Sequence, residues 1–234
     1  MIISHARKFI FVKTRKTAGT SIEIALSQFC GPDDVITPIF AEDEKVRAQL
    51  GFRGPQNNQV GRRFYGPMDH VRLWLGNRPK QFFNHAPAGF IRQHVSREVW
   101  DGYFKFSVER NPFDKAISRY FWSTRAEAHR PPIADYLRAA PKDLLSNWGI
   151  YTIDDCIAVD FVARFETLVE DMAKVMRTIG LPETTALPRT KSRFRPEKRH
   201  YSEVLDPESR LILERVCSRE LKAFSYQWES PVRD

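Results

Sequence analysis

Apolar and polar positions fall into blocks along this chain, and the blocks switch between strand and helix spacing. Phe9-Ile10-Phe11-Val12 is a continuous apolar run of the kind a strand covered on both faces shows. It enters a polar loop, Lys13 to Ser21, and Ile22-Glu23-Ile24-Ala25-Leu26 continues as a helix that Gly31-Pro32 closes. This predicts a first strand–helix unit over about residues 8–29. Asn84-His85-Ala86-Pro87 precedes a short helix from Ala88 to His94, and Ser96 caps a further turn through Trp100. Tyr103 to Glu109 reads as a second strand, which Arg110-Asn111-Pro112 breaks. Pro112 then starts a helix to about Ala128, with Phe113, Ile117, Tyr120 and Phe121 on one face.

After Pro131-Pro132 the spacing predicts a helix over Ile133 to Leu145. Ala158 to Phe165 alternates as a third strand, and Glu166 to Ile179 is an amphipathic helix closed by Gly180 and Pro182. Leu187 to Tyr201 is a basic loop, Asp206-Pro207 opens a helix to about Cys217, and a shorter helical piece reaches Phe224. Residues 31–80 show no clear period and read as an irregular insertion that helps shape an acceptor site. Strands alternating with helices imply an α/β fold with a central, mainly parallel sheet flanked by helices. At 234 residues the chain is expected to form a single domain, 1–234, carrying that insertion.

Composition changes this picture in one respect. Hydrophobic content of 42% and charged content of 28% are ordinary for a globular protein, but a net charge of +8 is high. It fits an anionic cofactor, nucleic acid, an anionic sugar or an anionic lipid surface, and equally a merely solvated basic surface. Cys30, Cys156 and Cys217 are odd in number and far apart, so they suggest reduced structural thiols rather than a disulfide framework or metal site. There is no apolar run of about 18 residues, so no membrane span is expected. The start, Met1 to Lys8, is too short and polar for a signal peptide, and a cytoplasmic location is the expectation.

The candidate chemistry begins in the first loop, Lys13-Thr14-Arg15-Lys16-Thr17-Ala18-Gly19-Thr20-Ser21. Unsatisfied N–H groups at a helix start can hold an anion. Lys16 adds a point charge, Thr17, Thr20 and Ser21 add hydroxyl donors, and Gly19 lets a phosphate approach the backbone. This is a phosphate cradle but not a Walker A loop, because Lys16 precedes the only glycine and none lies upstream. A second cluster, Arg110-Asn111-Pro112-Phe113-Asp114-Lys115-Ala116-Ile117-Ser118-Arg119-Tyr120, begins at the C-terminal end of a strand, where open α/β sheets bind ligands. Ser118 follows Arg110 by about two helical turns, so a guanidinium and a hydroxyl could face one phosphate. Each residue alone is equally well read as an ion-pair or packing residue.

Together these two stretches resemble the sulfotransferases that use 3′-phosphoadenosine 5′-phosphosulfate (PAPS), above all the Golgi-type carbohydrate enzymes and their bacterial relatives. Phe11-Val12-x-x-x-Lys16-Thr17-Ala18-Gly19-Thr20-Ser21 is similar to their 5′-phosphosulfate loop, and Arg110-Asn111-Pro112-x-Asp114-x-x-x-Ser118-x-Tyr120 to their 3′-phosphate site. Asp160 to Glu166 with the Asp171 helix, and the run of Tyr201, Asp206, Ser209 and Phe224-Ser225-Tyr226, extend the likeness to most of the chain except about 31–80. The resemblance implies a sheet related to that of nucleotide kinases. It implies that Lys16 binds the phosphosulfate and stabilises the bridging oxygen as the sulfuryl group leaves. It further implies that Thr17, Ala18, Gly19, Thr20 and Ser21 hold the 5′-phosphate, and that Arg110 and Ser118 hold the 3′-phosphate. No metal is implied, because Lys and backbone donors carry the developing charge.

Transfer to a hydroxyl needs a base, and His85 stands where similar sequences place a His before the Arg-Asn-Pro strand. His70 and His5 are further candidates, while Glu23 on the first helix is expected to cap it or face solvent. Lys13 is a candidate for touching the sulfonate or the acceptor. Arg193 and Arg199 lie in a segment similar to the one that closes over the 3′-phosphate and adenine. Two positions depart from the family's pattern: Arg15 replaces a proline before the motif lysine, and Glu109 replaces an apolar residue before Arg110. The expected function is sulfuryl transfer from PAPS, leaving 3′-phosphoadenosine 5′-phosphate (PAP), to a hydroxyl of a carbohydrate or glycolipid. The alternatives are a nucleotide-dependent phosphotransferase on a related fold, and a non-catalytic basic binder of nucleic acid or sulfated glycan.

Overall fold

The computed structural model describes residues 1–183, 197 and 199–229. In chain order the elements begin with β1 (Ile2–Ser4), β2 (Phe9–Phe11), α1 (Gly19–Ser27), β3 (Val35–Ile36), α2 (Ala41–Gln49), a 3-10 turn at Arg62–Phe64 and α3 (Pro67–Trp74). There follow α4 (Ala88–His94), α5 (Arg97–Gly102), β4 (Phe104–Glu109), α6 (Pro112–Ser123), α7 (Ile133–Ala139), α8 (Lys142–Leu145) and α9 (Trp148–Tyr151). The chain continues through β5 (Thr152–Ile153), β6 (Cys156–Ile157), β7 (Phe161–Arg164), α10 (Leu168–Thr178), α11 (Tyr201–Val204), α12 (Pro207–Val216) and α13 (Ser218–Ala223).

Five strands form the central sheet in the order β3-β1-β2-β4-β7. β2, β4 and β7 are parallel neighbours, and only β1 runs against the others. The fold is therefore mixed α/β with a mostly parallel sheet between helices. Both faces are buried, which is why the strands read as continuous apolar runs. Phe9, Phe11, Phe106 and Val108 pack on one side with Ile22 and Leu26 of α1 and Met172, Val175 and Met176 of α10. Ile3, Ile10 and Val12 pack on the other with Ile91 of α4, Ile150 and Tyr151 of α9, and Phe224. A third cluster joins Phe113, Ala116 and Ile117 of α6 to Leu137, Tyr201, Leu205 and Leu213.

Several elements differ from the sequence reading. The polar-looking start forms β1, because Ile2 and Ile3 are buried and pair with β2 and β3. Residues 31–80 are not irregular throughout. Val35–Ile36 is an edge strand too short to show a period, and α2 (AEDEKVRAQ) has almost no apolar stripe to reveal it. The helix expected over 133–145 is two helices, parted where Pro141 follows Ala140 in extended conformation. The helix after Pro112 stops at Ser123 rather than Ala128. Residues 152–157 form a two-stranded hairpin, β5–β6, that the sequence reading passed over. Cys30 and Cys217 are buried and Cys156 is exposed; all three are free thiols. Burial pushes the Cys30 and Cys217 thiols up to about 12.

Candidate functional site

The site lies where two neighbouring parallel strands end. β2 runs into residues 13–18 and β4 into Glu109-Arg110, side by side, because β2 and β4 pair through Phe9–Phe104 and Phe11–Phe106. The first loop is tied to β4: Val12 N–H donates to the Phe106 carbonyl at 2.9 Å, and Thr14 Oγ1 donates to the Val108 carbonyl. Ser107 Oγ donates back to the Val12 carbonyl at 2.7 Å. The loop turns tightly into α1 with Lys16 at φ 62° and Ala18 at φ 59°, both left-handed and strained for residues with a Cβ. Ala18 is the N-cap of α1 and offers no side-chain acceptor, so the first backbone donors of that helix belong to the cavity edge.

That cavity measures about 1190 Å³. It is lined by every residue from Lys13 to Ser21 and by His85, Arg110, Ser118 and Arg199. The sequence-predicted site residues that can be described thus meet around one space. Arg193 lies outside the described residues.

Helix α6 supplies one wall. Asn111 caps it by accepting from the Phe113 N–H at 3.0 Å, and Pro112 occupies its first position. Arg110, Asp114, Ser118 and Trp122 recur every fourth residue and line the cavity together. Arg110 Nε donates to Asp114 Oδ2 at 2.6 Å, its Nη1 donates to the Lys16 carbonyl at 3.2 Å, and its guanidinium lies 4.0 Å from the Phe165 ring centre. The Lys16 ammonium lies 4.9 Å from the centre of the Trp122 ring. Arg119, also lining the cavity, has a buried Nε with no hydrogen-bond partner among the described residues. Arg119 and Trp122 were not singled out from the sequence. Their signal was positional, one residue and one turn beyond Ser118.

His85 also lines the cavity, its Nδ1 3.1 Å from the Lys13 carbonyl oxygen. A carbonyl only accepts, so Nδ1 carries the proton and Nε2 keeps its lone pair. Burial, together with the positive charges of Lys13 and Arg15, holds the imidazole down at about 3, so it is neutral across the physiological range. His70 and His5 are not among the residues lining the cavity. His70 packs against the Tyr65 ring and His5 bonds to the Tyr103 hydroxyl at 2.9 Å.

Glu23 neither caps α1 nor faces solvent. It is fully buried, taking Lys13 Nζ at 2.7 Å, the Met1 α-amino group at 3.2 Å and Arg47 Nη2 at 3.4 Å. Burial pushes its carboxyl up, but these three cations outweigh it and hold it down to about 2. A lone acid among apolar residues on α1 carries no sign of partners 10 to 24 residues away. Lys13 consequently runs beneath the loop. Its ammonium is engaged by Glu23, and a Cβ on Gly19 would come within 2.8 Å of Lys13 Cγ. The missing side chain at Gly19 makes room for this lysine stem.

The two departures from the family pattern form a joint. Arg15, in place of a proline, donates its N–H to Asn147 Oδ1 and accepts from Asn147 Nδ2 through its carbonyl, both at 3.0 Å. Asn147 Nδ2 also donates to Glu109 Oε1 at 3.2 Å. Glu109 takes further bonds from Lys115 Nζ at 2.8 Å and the Tyr151 hydroxyl at 3.0 Å. Glu109 is therefore a fully paired buried acid behind the loop. Arg199, also lining the cavity, is held by Glu197 through two side-chain bonds, at 2.6 and 3.0 Å.

A model described as the sulfotransferase family matches residues 146–227. Over that segment the chain is similar to the sulfotransferase family. The matched segment holds Asn147, Phe165 and Arg199 but neither the loop at 13–21 nor Arg110, so it is independent of the two motifs. An uncharacterized protein of Archaeoglobus fulgidus is 36% identical over 108 residues, 42% of this chain and 84% of that relative. The crystal structure of a sulfotransferase from Alicyclobacillus acidocaldarius aligns over 94% of this chain and 96% of its own, at 16% identity and a TM-score of 0.43. That partial match supports sulfuryl transfer as the activity. Among the described residues no helix is long and apolar enough to cross a membrane.

Proposed function

We propose that this protein is a sulfotransferase that moves a sulfuryl group from PAPS to a hydroxyl of a carbohydrate or glycolipid. The observation that carries the reading is the convergence of the 13–21 loop, Arg110, Ser118 and His85 on one cavity. The donor set fits a nucleotide carrying two anionic groups. A helix start with Lys16, Thr17, Thr20 and Ser21 meets one, and the Arg110–Ser118 face meets the other. PAPS supplies an activated S–O bond, and the chain's residues do the rest.

Lys16 stabilises charge on the bridging oxygen as the S–O bond to the 5′-phosphate breaks. The loop donors from Thr17 to Ser21 hold that phosphate. Lys13 adds positive charge from beneath the loop. His85 Nε2 takes the proton of the acceptor hydroxyl as its oxygen bonds to sulfur, and PAP is the leaving product. The Lys13 and Arg15 charges that depress His85 are opposed by an anionic donor in the cavity, which raises its basicity when the donor is bound. Arg199 and Arg193 are assigned to the 3′-phosphate and adenine side.

Thermal shift with PAP, with ATP–Mg²⁺ and with an oligonucleotide tests the donor. PAP alone is expected to stabilise the protein; stabilisation only by ATP–Mg²⁺ or only by the oligonucleotide would turn the reading to a phosphotransferase or a nucleic-acid binder. Labelled sulfate transfer from PAPS to sugar and lipid acceptors tests the reaction. Lys16→Ala is expected to abolish transfer while PAP still binds, and His85→Ala to lower the rate with donor affinity kept. Wild-type rates in either variant would remove that residue's role.

A further inference from the structure

Helix α3 turns its apolar side outward. Met68, Val71, Trp74 and Leu75, the last its C-cap, are 64%, 47%, 84% and 65% exposed. At about 100° per residue these four share one arc of roughly 120°, opposite the half-buried Asp69 and Leu73. A surface helix ordinarily does the reverse and buries its apolar stripe. The inward side of α3 is held by polar contacts. Asp69 accepts from the Gly66 N–H at 3.0 Å and pairs with Lys80 Nζ at 2.6 Å. The arrangement is built rather than frayed, with Pro67 at the first helical position and the Asp69 carboxylate accepting from the N–H of the N-cap Gly66.

Charge surrounds this stripe. Residues 61–80 carry Arg62, Arg63, Arg72, Arg78 and Lys80 against the single acid Asp69, a local +4 out of the chain's +8. Arg62, Arg63, Arg72 and Arg78 are all exposed. None of these residues lines the 1190 Å³ cavity, so the substrate site does not account for them.

We propose that α3 and its basic rim form a docking surface for an anionic lipid membrane. Exposed Met, Val, Trp and Leu beside arginines make the side-chain set of a helix lying in the headgroup plane, with the Trp ring at the apolar–polar boundary. The rim complements anionic headgroups, whose attraction for Lys and Arg falls off within a Debye length. A second copy of the chain fits less well, because a self-complementary interface would set one +4 rim against another.

Cosedimentation with vesicles tests the surface, using phosphatidylcholine alone against phosphatidylcholine mixed with phosphatidylglycerol. The protein is expected to bind the anionic vesicles and to release them as salt is raised. Trp74→Ser with Leu75→Ser is expected to weaken partitioning about tenfold or more without changing Tm, since both side chains are exposed. Arg72→Glu with Arg78→Glu is the second arm and is expected to weaken it comparably. Lys16→Ala is expected to bind vesicles as the wild type does, which separates this surface from the proposed donor chemistry. The proposal is overturned by equal affinity for both vesicle types, or by unchanged binding in the Trp74/Leu75 variant. It is also overturned by a lipid-free dimer that the same variant dissociates.

Discussion

Arg110, Asp114, Ser118 and Trp122 stand every fourth residue, and three side chains of α6 thereby line the cavity together with Arg110, which follows β4 just before that helix. Arg110 is prepared for its task before any ligand arrives. Asp114, the Lys16 carbonyl and the Phe165 face already fix the guanidinium, so little side-chain freedom remains to be lost on binding. Arg110→Ala is therefore expected to weaken a 3′-phosphorylated nucleotide about 10- to 100-fold, as for a charge-assisted bond worth about 1.5–3 kcal/mol. Calorimetric titration of PAP and of the same nucleotide without its 3′-phosphate checks this. An equal loss for both would show that Arg110 acts through the loop rather than on that phosphate.

At the scale of elements, the loop is held by two systems that it does not itself contain. Below it, Glu23 of α1 draws Lys13, Arg47 of α2 and the α-amino group into one buried cluster. Behind it, Asn147 joins Arg15 to Glu109 of β4, and Glu109 is tied in turn to Lys115 of α6 and Tyr151 of α9. The left-handed Lys16 and Ala18 are strained, and such strain persists only where neighbours over-determine the backbone. Asn147→Ala leaves the Arg15 amide and carbonyl without their partner. It is expected to lower stability by about 1–3 kcal/mol and to weaken PAP binding as the loop relaxes. Chemical denaturation and nucleotide titration on one preparation measure both, and a stability loss with unaltered affinity would show that Asn147 supports the fold but not the loop.

Across the whole molecule, the buried charges make acid the vulnerable direction. His85 has a folded-state value of about 3 against 6.5 unfolded, so between those values the unfolded chain binds the extra proton. Stability therefore falls as pH drops from about 6.5 toward 3. Glu23, held at about 2 against 4.5, contributes stability above 4.5 that disappears as pH falls toward 2. Thermal unfolding followed from neutral to acid pH should show a steady decline, shallower in His85→Gln over the histidine window. Identical slopes in variant and wild type would mean that His85 is not buried neutral.

Local pattern was enough for the parts of this protein that depend on neighbours in sequence. The apolar runs at 9–12 and 103–109, the cap at Ser96, the helix starts at Pro112 and at Asp206-Pro207, and the loop from Lys13 to Ser21 all lie where strand–loop–helix chemistry puts them. The pairing of loop and α6 was legible too, through two motifs and their order. What only the tertiary structure decided concerns charge and the short elements. Whether Glu23 faces water, why Lys13 passes beneath Gly19, and what Glu109 and Asn147 hold depend on partners 10 to 132 residues away. No local spacing encodes such contacts, because a buried ion finds its partner through the packing of whole elements. The two-residue strand β3 and the outward-facing stripe of α3 were hidden for a related reason. Pairing makes the one, and polar anchoring of Asp69 sets the other.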